Sequence, residues 1–224
     1  MNEKQLAAEK SIEFIKDGMT LGLGTGSTVY FLVNKLAELV NQGLNIACVS
    51  TSNQTSELAK SLGIKILNLN EVDKINLTID GADEVDKNLN GIKGGGGALL
   101  FEKIVAAASE KVIWIVDSSK FVQKLGKFPL PVEVIPLGSN HIMKRFQKSG
   151  FNPTIRVNGS KIYITDSGNE IIDLHLYKIE DSINLEREIK LMPGVVEVGL
   201  FNNIVDKVIV GKENSTEIIS RILD

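Results

Sequence analysis

Residues 19–40, "MTLGLGTGSTVYFLVNKLAELV", contain the clearest structural pattern of the sequence. They begin as a short apolar strand, turn through "GLGTGSTV" at residues 22–29, and continue as a helix from about Thr28 to Val40. The same succession of strand and helix recurs before and after this stretch. Short apolar strands that alternate with helices predict a parallel sheet covered by helices on both faces.

Further elements extend this pattern over the first half of the chain. Helices are expected near residues 3–16, 54–62 and 97–110. Strands are expected in the apolar segments "NIACVS" (45–50), "IKILNL" (64–69), "NLTID" (76–80) and "KVIWIVD" (111–117). Together they predict an α/β fold with a Rossmann-like, mainly parallel sheet domain.

The pattern changes at "KLGKFPLPVEVIPLG", residues 124–138, which holds three of the five prolines and marks a boundary or crossing segment. Beyond it, an α+β (ferredoxin-like) subdomain is expected, with helices near 140–148 and 183–190 and strands near 154–165, 170–177 and 195–200. The last segments, "KVIVG" (207–211) and "STEIISRIL" (215–223), are expected to be a strand and a helix that return to the first sheet. We therefore predict a Rossmann-like domain of residues 1–128 plus 204–224, and an α+β subdomain of residues 129–203.

Composition places the chain among ordinary globular proteins. Of its 224 residues, 43% are hydrophobic and 24% are charged, which is enough for a core without disulfides. A net charge of −3 without a long basic run argues against a nucleic-acid surface. Cys48 is the only cysteine, the first residues lack an apolar signal core, and no apolar run is long enough to span a membrane. These features predict a cytoplasmic protein.

Three loops after predicted strands contain residues suited to chemistry, since parallel α/β sheets bind ligands beyond the carboxyl ends of their strands. The first loop, residues 22–29, offers glycines, hydroxyls and the N–H groups of a helix N-terminus, which suit a phosphate. It departs from the dinucleotide fingerprint at Ser27, and no acid follows the next strand. The alternative interpretation is a tight turn capped by Ser27 or Thr28.

The second loop is "IDGADEVD", residues 79–86. Its glycine permits an abrupt turn, after which Asp80 and Asp83 are expected to face one cleft. A solvated acidic turn is the alternative. A calcium-loop pattern begins at Asp86, but Gly97 stands where the bidentate glutamate is needed. We therefore expect no metal site here.

The third loop is "GIKGGGGALLFEKIV", residues 91–105. Its glycines leave main-chain N–H groups bare to stabilise charge on a reacting oxygen, and Lys93 adds a cation. Glu102, in the following helix, is either a proton acceptor or an ordinary surface residue. His141 and His175 are isolated, and no nucleophilic serine or cysteine motif is present. The loops together predict acid–base chemistry, without metal or cofactor, on a small phosphorylated sugar or polyol.

At these motifs the sequence resembles ribose-5-phosphate isomerase, type A. The matching segments are "GLGTGST" (22–28), "DGADEVD" (80–86), "KGGGGALLFEK" (93–103), "DSSKFVQKLGKFPLPVEV" (117–134) and "PGVVEVGLF" (193–201). They span essentially the whole chain in order. The resemblance implies the metal-independent interconversion of D-ribose 5-phosphate and D-ribulose 5-phosphate through an enediol, a step of the non-oxidative pentose phosphate pathway.

The resemblance also implies roles for individual residues. Glu102 matches the catalytic base, Lys93 and the glycine amides would stabilise the enediolate, and Asp80 and Asp83 would hold hydroxyls, one of them assisting ring opening. Substrate contacts are implied for Thr25, Gly26, Ser27, Thr28, Asp80, Gly81, Ala82, Asp83, Lys93, Gly94, Gly95, Gly96 and Lys120, and as a weaker match for Lys4.

Phe101 departs from the family pattern, in which arginine often precedes the glutamate, and it bears on packing or an interface rather than on an implied role. Two other classes of protein remain open. A sugar-phosphate-sensing regulator would not need Glu102, and a nucleotide-dependent oxidoreductase is disfavoured by Ser27. The strand edges of the α+β subdomain predict a homodimer or homotetramer, and the expected partner is a small sugar phosphate, not nucleic acid or a membrane.

Overall fold

The computed structural model describes residues 2–221. The helices are α1 (Glu3–Ser11), α2 (Ser27–Asn41), α3 (Asn53–Ser61), α4 (Leu99–Ala107), α5 (Ser139–Lys148) and α6 (Ser182–Lys190). The strands are β1 (Thr20–Leu23), β2 (Ala47–Ser50), β3 (Leu77–Asp80), β4 (Glu84–Val85), β5 (Gly91–Ile92), β6 (Val112–Asp117), β7 (Leu130–Val134), β8 (Pro153–Ile155), β9 (Val157–Asn158), β10 (Lys161–Ile162), β11 (Glu170–Leu174), β12 (Val195–Val198), β13 (Leu200–Phe201), β14 (Lys207–Lys212) and β15 (Ser215–Ser220). Within residues 2–221, none of the helices is long and apolar enough to cross a membrane.

The chain divides into two compact units. The first unit consists of Met1–Ala82, Phe101–Phe121 and Ile204–Asp224, and the second of Asp83–Leu100 and Val122–Asn203. The domain boundaries at residues 128 and 204 that were inferred from the sequence stay a prediction.

The first unit is built on a six-stranded sheet in the order β15-β14-β6-β3-β1-β2. Neighbouring strands are parallel, except that β15 is antiparallel to β14. Leu21 and Leu23 of β1 pack in one core with residues of α1, α2 and α3. Gly22 faces the other side of the sheet, where a Cβ would lie 2.8 Å from Cγ1 of Val105 in α4. A mainly parallel sheet with helices on both faces confirms the Rossmann-like α/β prediction.

The second unit contains a four-stranded antiparallel sheet in the order β12-β7-β11-β8. Its elements follow the chain order β7-α5-β8-β11-α6-β12, which is the βαββαβ arrangement of ferredoxin-like folds. Phe146 of α5 and Ile189 of α6 share a core with Val132 and Val134 of β7. A smaller antiparallel sheet, in the order β13-β5-β4, belongs to the same unit. The predicted α+β subdomain of ferredoxin-like type is therefore confirmed.

The helix predicted at residues 215–223 is wrong in the described part of that segment. Residues up to Ser220 form β15, which pairs with β14 across a two-residue turn at Glu213 and Asn214. Ile218 and Ile219 are adjacent and β-branched, so they suit a strand better than one face of a helix. The end of the predicted helix, residues 222–223, lies outside the described residues.

The strand predicted at residues 64–69 is also wrong. Ile66 makes only an isolated parallel bridge to Cys48, and a short 3-10 helix, Leu69–Glu71, follows at once. The side chain of Asn68 accepts a hydrogen bond from the N–H of Asn70 at 2.9 Å. This local hydrogen bond turns the chain away from the sheet.

Candidate active site

The loop after β1 is built around Asp80, the last residue of β3. Oδ1 of Asp80 accepts hydrogen bonds from the N–H groups of Thr25 at 3.0 Å and Gly81 at 2.7 Å. A Cβ at Gly24 would lie 1.9 Å from the same oxygen, so glycine is required there. Asp80 is buried. It therefore holds in place the loop that the sequence predicts to bind phosphate.

This loop leads into the N-terminus of α2. Gly26 has a φ of +116°, in the region that favours glycine, and Ser27 begins the helix. The first N–H groups of a helix lack intrahelical partners and carry partial positive charge. Nζ of Lys4 donates a hydrogen bond to Oγ of Ser27 at 2.9 Å. Lys4, the weaker match in the sequence, thus lies at a site suited to an anion.

The side chain of Thr25 is held by the loop that follows β2. Its hydroxyl oxygen lies 2.8 Å from the hydroxyl oxygens of both Thr51 and Ser52. Ser52 also caps α3 by accepting a hydrogen bond from the N–H of Thr55 at 3.2 Å. Since the N–H and the hydroxyl of Thr25 are both engaged within the protein, Thr25 shapes the loop. The exposed residues of the loop are Gly26 and Ser27, while Thr28 is buried.

Lys120 ends a short 3-10 helix that follows β6. Oε2 of Glu3 accepts hydrogen bonds from the N–H and the hydroxyl of Ser118, the first residue of this helix, at 2.9 and 2.8 Å. Glu3 and Lys4 are neighbours in α1, so the first turn of α1 connects the Lys120 loop with the N-terminus of α2. The first unit therefore brings two of the predicted lysines to the carboxyl edge of its parallel sheet.

Glu102 lies in the first turn of α4 and is only 5% exposed. One turn later in α4, Val105 packs with Val49 and Ile75 and approaches the sheet above Gly22. This packing fixes the position of α4 on the sheet and therefore also the position of Glu102 relative to the sheet. The burial rules out the exposed surface glutamate of the alternative interpretation.

In the second unit, the carboxylate of Asp83 lies against the glycine run. Its Oδ2 accepts a hydrogen bond from the N–H of Gly95 at 2.7 Å, and the N–H of Asp83 donates to the carbonyl of Ile92 at 2.8 Å. A Cβ at Gly95 would lie 2.6 Å from Oδ1 of Asp83. The approach of this carboxylate therefore explains the glycine at position 95.

The glycine run forms a tight turn just before α4. Gly94 and Gly97 have φ values of +102° and +83°, and the N–H of Gly97 donates to the carbonyl of Gly94 at 2.9 Å. The N–H of Gly95 is engaged by Asp83. In the part of the chain that the structure describes, no hydrogen bond is made by the N–H of Gly96. This group is therefore the best candidate in the turn for contacting a substrate oxygen.

Lys93 precedes the turn and is 2% exposed. Its N–H donates to the carbonyl of Gly199 at 2.9 Å, and its Nζ lies 5.5 Å from the centroid of the Phe201 ring. A cation over an aromatic face is attracted by the ring quadrupole. A Cβ at Gly199 would lie 2.4 Å from the carbonyl oxygen of Lys93, so this close pairing also requires glycine.

Two residues that contact the glycine turn, Arg156 and Tyr163, were not predicted from the sequence. Nη1 of Arg156 donates to the carbonyl of Gly94 at 2.7 Å, although 62 residues separate the two along the chain. No local pattern around Arg156 indicates this contact. Among residues 2–221, no group of three or more His, Cys, Asp or Glu side chains is arranged to hold a metal ion.

Comparison with known proteins identifies the family of this chain. The family model described as ribose 5-phosphate isomerase A (phosphoriboisomerase A) matches residues 47–215. A protein named ribose-5-phosphate isomerase A from Limosilactobacillus reuteri is 53% identical over 218 residues, which cover 96% of each chain. The structure of ribose 5-phosphate isomerase A from Methanocaldococcus jannaschii has a TM-score of 0.92 at 39% identity and covers 97% of this chain and 98% of its own. A D-ribose-5-phosphate isomerase in complex with phospho-erythronic acid has a TM-score of 0.93 at 40% identity, covering 99% and 100% of the two chains. This chain therefore belongs to the ribose 5-phosphate isomerase A family.

Proposed function

We propose that this protein interconverts D-ribose 5-phosphate and D-ribulose 5-phosphate through an enediol intermediate, as a step of the non-oxidative pentose phosphate pathway. Family membership over nearly the whole chain is the observation that carries this proposal. The geometry within each unit supports it. The first unit has a helix N-terminus suited to an anion and the buried carboxylate of Glu102, and the second unit has Lys93 beside a turn of glycine amides.

The 5-phosphate is bound at the N-terminus of α2. The N–H groups at Ser27 and Thr28 provide a partial positive charge and hydrogen-bond donors. Lys4 is already at hydrogen-bond distance from Ser27. Lys120 lies in the loop after β6, which Glu3 of α1 holds by hydrogen bonds to Ser118 at the carboxyl edge of the same sheet. Binding energy from this remote group then supports catalysis at the other end of the substrate.

Glu102 carries the proton between C1 and C2. It takes the proton from C2 of the open-chain aldose, the electron pair forms the C1–C2 double bond, and the C1 carbonyl opens to leave negative charge on O1. Transfer of the O2 hydroxyl proton to O1 and return of the first proton to C1 give the ketose. Lys93 and the Gly96 N–H stabilise the enediolate, because donors fixed in advance need no reorganisation as the charge develops.

Asp80 and Asp83 hold substrate hydroxyls, and one of them assists opening of the furanose ring. Oδ1 of Asp80 also accepts hydrogen bonds from two main-chain N–H groups, and Oδ2 of Asp83 accepts one. These hydrogen bonds fix the direction of each carboxylate before substrate arrives. The chemistry needs no metal, since Lys93 supplies the positive charge.

The direct test is to incubate the purified protein with D-ribose 5-phosphate and to follow ketose formation. We expect D-ribulose 5-phosphate to accumulate to a fixed ratio that is also reached from the ketose side, because an isomerase cannot change the equilibrium. Unphosphorylated ribose should be a very poor substrate. Equal turnover of ribose and its phosphate, or no ketose at all, would contradict the proposal.

The protein is proposed to act in the cytoplasm as a homodimer or homotetramer with a small sugar phosphate as its ligand. The edge strands β8 and β12 of the four-stranded sheet support self-association, since unpaired strand edges can pair with a second copy. The mass of the particle in light scattering decides between these states and a monomer.

A further inference from the structure

We propose that Arg156 is a positioning residue that fixes the direction of the Gly96 N–H group and so strengthens its hydrogen bond to the enediolate. The role of the N–H group rests on the proposed isomerase function. The clamp, by which we mean the hold of Arg156 on the glycine turn, rests on hydrogen bonds within the second unit.

The guanidinium of Arg156 connects an acidic partner with the glycine turn. On one side, Nε and Nη2 donate to the two carboxylate oxygens of Asp173 at 2.9 and 2.5 Å. On the other side, Nη1 donates to the carbonyls of Gly94 at 2.7 Å and Gly95 at 3.2 Å. The side chains of Arg156 and Asp173 are 15% and 16% exposed. A bidentate ion pair of this kind fixes the orientation of the guanidinium as well as its distance from the carboxylate.

Peptide geometry transmits this orientation to the N–H groups. The carbonyl of Gly94 and the N–H of Gly95 belong to one planar trans peptide, so they point in opposite directions. Holding that carbonyl on Arg156 directs the Gly95 N–H toward Asp83, where it is found. The carbonyl of Gly95 likewise shares a peptide with the N–H of Gly96. Arg156 therefore turns the Gly96 N–H away from itself.

A clamp is needed because glycine has the widest backbone freedom of any residue. Without side chains, the turn at residues 94–97 cannot be held by its own packing. Tyr163 adds a second contact by donating its hydroxyl to the carbonyl of Gly96 at 3.3 Å. A positive charge on the carbonyl side also polarises each peptide, which makes its N–H a stronger donor.

The test compares Arg156→Lys with Arg145→Lys, a matched change at an exposed arginine of α5 in the same unit. Lysine keeps the positive charge, but its single ammonium group cannot make two parallel hydrogen bonds to Asp173 and also reach the carbonyls of Gly94 and Gly95. We expect Arg156→Lys to lower kcat about 10–100-fold, because an oxyanion donor is misdirected, with little change in KM. Inhibition by phospho-erythronic acid, whose carboxylate carries charge on oxygen, should weaken by a similar factor. Arg145→Lys should match wild type.

A second measurement does not depend on activity. Amide hydrogen exchange in the segment 93–100 should accelerate in Arg156→Lys and not in Arg145→Lys, while the melting temperatures of both stay near that of wild type. A kcat close to wild type, a loss of kcat that only follows the folded fraction, or unchanged exchange in this segment would overturn the proposal. If wild type itself makes no ketose, the proposed function fails, and the exchange data alone decide whether Arg156 holds the turn.

Discussion

The proton transfer predicts the behaviour of one substitution. Glu102→Gln keeps the shape of the side chain but removes the basic carboxylate, so kcat should fall about 10²–10⁴-fold while KM changes little. Steady-state kinetics on ribose 5-phosphate measures both constants. The control is Glu110→Gln, a change at an exposed glutamate just after α4 that pairs with Lys74, and it should be silent. Near-native kcat in Glu102→Gln would move the base to Asp80 or Asp83.

Asp80 and Asp83 were both predicted as site residues from the motif "DGADEVD". Their hydrogen bonds to the N–H groups of Thr25 and Gly95 were not predictable, because the partners lie 55 and 12 residues away. For the same reason the sequence did not indicate the contact made by Arg156. Lys4 and Lys120 were predicted only through the family resemblance.

The phosphate site predicts a different kinetic signature. Lys120→Ala should raise KM for ribose 5-phosphate with a smaller effect on kcat, because the phosphate contact is the same in the ground state and the transition state. The matched control is Lys111→Ala, a change at an exposed lysine that directly precedes the first residue of β6. If both variants have the same KM, Lys120 does not contribute to phosphate binding.

At the scale of elements, the sequence predicts the helices and strands that have a strong hydrophobic periodicity. It does not predict elements that form only through contacts with distant parts of the chain. The helices α2, α3, α5 and α6 were placed to within one residue at each end. The two-residue strands β4 and β5 were not predicted, since each exists only through pairing within the small sheet. The proline-rich segment contains β7, which pairs with β11 and β12, although its prolines indicated only a boundary or crossing.

The loop between β1 and α2 gives a stability prediction. Gly24→Ala should lower the free energy of unfolding by about 1–3 kcal/mol, as overpacking does, because the new Cβ would meet Oδ1 of Asp80 at 1.9 Å. At Gly81 a Cβ would have an ordinary contact of 3.7 Å with the carbonyl of Thr25. Gly81→Ala should therefore change the stability by less than about 1 kcal/mol. Urea unfolding of the two variants compares them, and equal stabilities would show that Asp80 can move away without cost.

At the scale of the whole molecule, the fold class was predictable because the hydrophobic periodicity of the segments and their order along the chain indicate the same architecture. Alternating strands and helices indicated the parallel sheet of the first unit, and the change of pattern indicated the α+β (ferredoxin-like) subdomain of the second. Strand order within each sheet was not predictable, because it depends on pairing between segments as distant as β6 and β14. The placement of residues 83–100 in the second unit was likewise not visible in the sequence.

The reaction in D₂O tests the central claim most directly, that this protein moves a proton between C1 and C2 by means of a carboxylate base. Wild type is incubated with D-ribose 5-phosphate in D₂O, and the product is analysed by NMR before the reverse reaction becomes important. We expect D-ribulose 5-phosphate that carries deuterium at C1, in part or in full, because a proton held on Glu102 exchanges with solvent. Ketose without deuterium at C1 would indicate direct hydride transfer, and the absence of ketose would contradict the isomerase function itself.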